Sequence, residues 1–181
     1  MIFFKPLYYI TDVKDHSFNK ERILTAMAKN NCQLQNTDVK EYYSFVSNSD
    51  YTLAETRWFK FALSPADQNR YQKFVYDKFK QKDLGINAAW YNQYYANSGA
   101  EHAYHGHYSE EEPNDLTNIY FVELKDKSLR TVIKHPKTGK EIIPRVREGQ
   151  ILSFDAKLQH KSPPNRSTTR KTVISFNIRF L

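Results

Sequence analysis

Apolar positions recur three and four residues apart in two early stretches of the chain, and at every second residue through much of the remainder. Over residues 19–30, Ile23, Leu24 and Met27 form a stripe along one side of a helix. A second helix opens at Ser64-Pro65, a capping hydroxyl followed by proline at the first helical position. Tyr71, Phe74, Val75 and Phe79 mark its buried side, and Gly85 reads as its stop. Elsewhere alternation takes over. Phe59, Phe61 and Leu63 share one face of a strand over residues 56–63. Residues 90–95, 102–107, 116–124, 129–134, 151–155 and 172–181 read as further strands. Pro136-Lys137-Thr138-Gly139 is a turn between two of them. Many strands with both helices early predict a mainly β fold, a sandwich or open barrel with helices packed on one sheet.

Composition narrows the class without naming a function. A chain of 181 residues suits one domain with a substantial core. Its net charge of +7, with 13 tyrosines and 12 phenylalanines, is compatible with a nucleic-acid partner. The positive charges are scattered rather than clustered, however, so a solvated surface over an aromatic core is the favoured reading. The single cysteine, Cys32, excludes an internal disulfide and suits a reducing compartment. The apolar opening is broken by Lys5 and Pro6 and lacks the features of a secretory signal. No window approaches the ~20 apolar residues of a membrane span. The expectation is a soluble, cytoplasmic protein with no membrane partner and no specified subunit interface.

The chemistry concentrates in His105-Gly106-His107 and His160. Two histidines at i and i+2 on a strand project from one face. A third on a later strand completes a three-point metal site that leaves coordination positions open. Oxygen chemistry at iron needs such a site, usually two histidines and a carboxylate. Here His105 is the first ligand, His160 the distal one, and His107 stands at the position where aspartate is usual. A carboxylate from Glu110, Glu111, Glu112 or Asp115 is the alternative middle ligand, although that acidic run reads as a solvated loop. His102 has unfavourable strand parity with His105, His135 precedes a turn, and His16 reads as a surface residue. Beyond His160, the basic pair Arg170-Lys171 is placed to anchor an acidic cosubstrate.

These residues resemble the iron(II)- and 2-oxoglutarate-dependent oxygenases, and within them a small bacterial and phage branch. The likeness rests on Trp90-Tyr91-Asn92, Gly99 six residues before His105-Gly106-His107, and Thr117-Asn118-Ile119-Tyr120. It continues through the segment from Gly149 to His160 and through Lys171-Thr172-Val173-Ile174-Ser175-Phe176-Asn177. No single piece is specific; their order is. The resemblance implies a double-stranded β-helix, a jelly-roll core over residues 87–181, with residues 1–86 as helical and strand support. It implies iron held by His105, His107 and His160, with 2-oxoglutarate and dioxygen as cosubstrates. Asn92, Tyr94 and Ser175 would join the cosubstrate site, and a cation on the last strand would clamp the far carboxylate.

That cation is Lys171 by its spacing from Ser175-Phe176-Asn177, with Arg170 as the alternative. Parity favours Lys171, which shares a strand face with Val173, Ser175 and Asn177; Thr172, Ile174, Phe176 and Ile178 make the apolar face toward the helices. Lysine fills this role in prolyl hydroxylases, so the implied reaction is hydroxylation of an unidentified substrate, small molecule or protein, with a prolyl or other protein residue in view. Two rivals stand beside it. Gly99, His105, His107 and Glu111 match much of the first cupin motif, but the eleven residues from Gly149 to His160 do not fit the second. A non-enzymatic binding module on the same barrel would use Tyr91, Tyr94, Tyr95, Tyr104 and Tyr108.

Overall fold

The computed structural model describes residues 6–29, 63–111 and 113–181. Nine strands and two helices are formed among them. β1 (Tyr8–Asp12) leads into α1 (His16–Lys29), and α2 (Pro65–Phe79) precedes β2 (Leu84–Tyr94). β3 (His102–His105), β4 (Leu116–Leu124), β5 (Val132–Lys134), β6 (Glu141–Ile142), β7 (Gln150–Asp155), β8 (His160–Ser162) and β9 (Lys171–Phe180) follow. The expected strand over residues 56–63 lies outside the described residues except at Leu63.

The strands form a five-stranded sheet in the order β1-β7-β4-β9-β2 and a four-stranded sheet in the order β3-β8-β5-β6. Every pairing is antiparallel. This is the two-sheet double-stranded β-helix that the sequence predicts. Between the sheets, Ile119, Phe121, Leu152, Phe154 and Val173 of the larger meet Ile133 of the smaller, with Val146 and Leu158 from the connections. On the larger sheet's other face, Ile23 and Met27 of α1 and Tyr71 and Val75 of α2 cover Tyr120, Ile174, Phe176 and Ile178. Each fully buried side chain of this size contributes about 1.5–3 kcal/mol relative to exposure. The parity of β9 is therefore as expected: even-numbered residues meet the helices and odd-numbered ones face the second sheet.

Local signals explain the helix start but not its end. Ser64 accepts a hydrogen bond from the Asp67 amide at 3.2 Å, capping α2 behind Pro65. The buried Asp67 carboxylate in turn accepts the Lys14 and Asp15 amides, both at 2.9 Å, and so ties α2 to the entry of α1. The stop is Lys80, at φ 60°, whose amide donates to the Tyr76 carbonyl at 2.8 Å. Gly85, read as the stop, lies in β2 instead. β1 had no counterpart in the pattern; it pairs with β7 along the sheet edge. The strand expected over 129–134 is shorter, because residues Lys127–Leu129 form a 3-10 turn. His16 is no plain surface residue: its Nδ1 lies 2.7 Å from the Tyr120 hydroxyl and its Nε2 3.4 Å from Glu148. Gly149 holds φ +82° there, and a Cβ would come within 3.0 Å of the His16 ring, so the position demands glycine. No helix among the described residues is long and apolar enough to cross a membrane.

Candidate metal centre and cosubstrate pocket

β3 and β8 bring the histidines together by direct pairing. His105 stands opposite His160 in the register, and His107 follows two residues on, its amide donating to the Ala156 carbonyl at 2.9 Å. The potential ligand atoms of His105, His107 and His160 lie within 4.8 Å of one another. His105 and His160 rings are 4.2 Å apart between centroids, and His107 lies 4.8 and 5.1 Å from them.

Backbone carbonyls orient two of the rings. His105 Nδ1 lies 2.8 Å from the Ala103 carbonyl and His160 Nδ1 3.3 Å from that of Leu158. An Nδ1–H donated to each carbonyl leaves the lone pair on Nε2, the arrangement found behind metal-bound imidazoles. Burial lowers all three basicities: His107 to about 3, His160 well below its ordinary value, and His105 in the same direction. They are neutral near pH 7, the protonation state that binds a metal ion.

Among the described residues, the acidic run contributes no ligand. Glu110 and Glu111 are exposed, and Asp115 accepts the Phe180 amide at 2.8 Å, so none joins the ligand group; Glu112 lies outside the described residues. The cupin match loses its carboxylate for the same reason, since Glu111 stands away from the triad. His102 departs from the strand parity read in the sequence. A bulge between His102 and His105 sets two residues of β3, Ala103 and Tyr104, against Lys161 of β8, so His102 turns to the same side. Its ring stacks on His105 at 3.5 Å and 11°, and it is buried.

The pocket continues from the triad between the sheets. Asn92, Tyr94, Ser175 and Lys171 all line it, together with Trp90, Thr131 and Ser162. Tyr94 and Lys171 are cross-strand partners of β2 and β9. Lys171 is 1% exposed. Its ammonium donates to Ser162 Oγ at 2.8 Å and sits 5.1 Å over the Tyr94 ring and 5.7 Å over Phe121. Among the described residues no carboxylate pairs with it, and desolvation drags its pKa from 10.5 to about 7. The buried Asn92 Nδ2 also has no hydrogen-bond partner among the described residues. A buried cation without an anion and a buried donor without an acceptor are costly. A dicarboxylate reaching from the triad to Lys171 would supply what both lack. The residues present therefore fit both groups: neutral imidazoles for a divalent ion, and an ammonium and amide for its acidic cosubstrate.

Arg170, the alternative clamp, does not line this pocket. It shares the parity of Thr172 and pairs through Nε and Nη2 with both Glu123 oxygens, at 2.7 and 3.0 Å, on the sheet's other side. A register shift in β4 between Phe121 and Glu123 turns Glu123 to meet it. Ser162 and Thr131 were missed from the sequence. Ser162 was within reach of the parity argument, since it follows His160 by two residues on the same strand.

No protein-family model matches the chain, and no curated protein sequence does either. Solved structures match its fold. The viral collagen prolyl hydroxylase from Paramecium Bursaria Chlorella virus-1, in its 2OG complex, is 12% identical with a TM-score of 0.58, over 97% of this chain and 96% of that one. A prolyl-4-hydroxylase from Pseudomonas putida is 10% identical with a TM-score of 0.57, over 96% and 85%. The non-heme alpha ketoglutarate dependent epimerase SnoN from nogalamycin biosynthesis is 10% identical with a TM-score of 0.66, over 96% and 78%. At these identities the likeness is one of fold, and it is the fold that the sequence resemblance implied.

Proposed function

We propose that the protein is a non-haem iron(II) dioxygenase that couples oxidative decarboxylation of 2-oxoglutarate to hydroxylation of an organic substrate. The observation that carries this reading is the buried Lys171, with no carboxylate partner among the described residues, in the same pocket as three convergent imidazoles. Structural neighbours that use 2OG or alpha ketoglutarate share the barrel and support the reading.

In this reading His105, His107 and His160 hold the iron, which when bound supplies the redox chemistry on dioxygen. Lys171 pairs with the distal carboxylate of 2-oxoglutarate while Asn92 and Tyr94 fix its course along the pocket. Ser162 keeps the ammonium pointed inward, and Ser175 lies on the same strand face. One oxygen atom enters the substrate C–H bond and the other enters succinate, as carbon dioxide leaves. A prolyl or other protein residue belongs in the substrate screen, because lysine serves as the clamp in prolyl hydroxylases and two prolyl hydroxylases share this fold.

Anaerobic titration with iron(II) and then 2-oxoglutarate tests the assignment. The expected result is a visible charge-transfer absorption that saturates at one equivalent of each, followed by succinate formation on admitting oxygen. His160→Ala loses that absorption, with metal affinity falling more than about 100-fold, beyond the usual effect of altering a ligand's outer partner. Undiminished succinate formation by His160→Ala would refute the assignment.

A further inference from the structure

We infer that the site takes a second anion beside the triad, so that the substrate carries a negatively charged group close to its reacting carbon. The inference rests on the reading of the triad as a divalent metal site and goes beyond it. A divalent ion and the Lys171 ammonium bring three positive charges, and the two carboxylates of 2-oxoglutarate return two. A carboxylate in the middle ligand position would cancel the third; His107, a neutral imidazole, does not. The surplus charge sits in a pocket with no aspartate or glutamate among its described lining residues. Three described carboxylates are engaged elsewhere: Glu141 by Lys161 at 2.6 Å and Tyr104 at 2.8 Å, Glu123 by Arg170, and Asp115 by the Phe180 amide.

The walls do not dissipate that charge. His102 adds another neutral ring behind His105, and Trp90 closes the other side with its ring 5.1 Å from His107. A low-dielectric pocket with one unbalanced positive charge selects for an anion. A carboxylate, phosphate or sulfate on the substrate meets that need. A neutral prolyl peptide does not, so free amino acids and acidic small molecules stand ahead of it.

Azide titration of the cobalt(II)-loaded protein in the presence of 2-oxoglutarate tests this, read from the visible cobalt bands. The wild-type protein is expected to bind azide at least about tenfold more tightly than His107→Asp, in which the ligand set carries its own negative charge. His107→Glu supplies the same charge with a longer reach if the aspartate variant does not fold. Equal azide affinity in wild type and in a cobalt-loaded acidic variant overturns the inference, as does a wild-type spectrum that azide leaves unchanged. The cobalt bands themselves separate the two layers of the argument. A wild-type protein that takes up no cobalt loses the metal reading and this inference with it; one that takes up cobalt but ignores azide loses the inference alone.

Discussion

On the helix-covered face of the five-stranded sheet, the polar groups of the strands and of α2 largely find partners. Tyr71 donates to Asn118 at 2.6 Å, Asn118 donates to the Phe176 carbonyl at 3.2 Å, and Thr172 and Arg170 converge on Glu123. On the opposite face, the same strands bury Lys171 with one serine for company and Asn92 with no acceptor for its amide among the described residues. Lys171 and Asn92 are as deeply buried as Tyr71 and Asn118. The helix face is a finished interior in its charges, leaving unpaired among the described residues only neutral groups such as Ser153 Oγ, while the inner face lacks an anion. Burial alone does not mark a functional site; burial with its electrostatic partner missing does.

The sharpest way to break that contrast is to remove the unbalanced charge. Lys171→Met keeps the volume and discards the ammonium. Affinity for 2-oxoglutarate should fall by about 10- to 100-fold, the range for losing a hydrogen-bonded charged partner. The ligand-free protein should become more stable by roughly 1–4 kcal/mol, as when a buried ion gives way to a well-packed apolar group. Calorimetric binding and chemical denaturation measure the two effects. A ligand-free variant less stable than wild type would mean that Lys171 belongs to the finished interior after all.

A change of pH alters the same charge without mutation. Lys171 binds its proton with a pKa of about 7 when folded and 10.5 in its ordinary state. Between those values the unfolded chain holds more protons than the folded one, so stability rises with pH. The penalty is complete below pH 7 and relieved as pH climbs toward 10.5. Cosubstrate binding runs the other way, because a carboxylate needs the ammonium. Its affinity should fall roughly tenfold from pH 6 to pH 8, and the fall should vanish in Lys171→Met. Affinity that holds steady across this range in the wild-type protein would show that the ammonium keeps its proton without help.

What was legible in the sequence divides along the regularity of the backbone. β9 runs unbroken from Lys171 to Phe180, so counting by twos placed Lys171 and Ser175 on one face and the apolar set on the other. The same logic on β2 placed Asn92 and Tyr94. It failed at His102, because a single extra residue in β3 reverses the facing of everything before it, and a bulge leaves no compositional mark. The end of α2 was missed for a related reason: Lys80 takes the left-handed conformation that glycine usually serves. β1 went unseen because its residues sit half-buried at a sheet edge, where neither alternation nor a continuous apolar run develops.

The smallest expected effect bears on the residue next to the clamp. Arg170 and Lys171 are adjacent cations, and the contrast between the faces assigns them to different tasks. Arg170→Gln should leave 2-oxoglutarate affinity within about twofold of wild type, because its guanidinium is on the far side of the sheet with Glu123. Its cost should be one of stability, about 1 kcal/mol, since the pair is part-exposed and solvent screens it. Glu123 keeps Thr172 as a donor, which limits the loss further. A double-mutant cycle with Glu123→Gln measures the coupling directly. If Arg170→Gln instead weakened cosubstrate binding as strongly as Lys171→Met, the two faces would not be energetically separate. The side-chain parity of β9 would then be a poor guide to which cation serves the pocket.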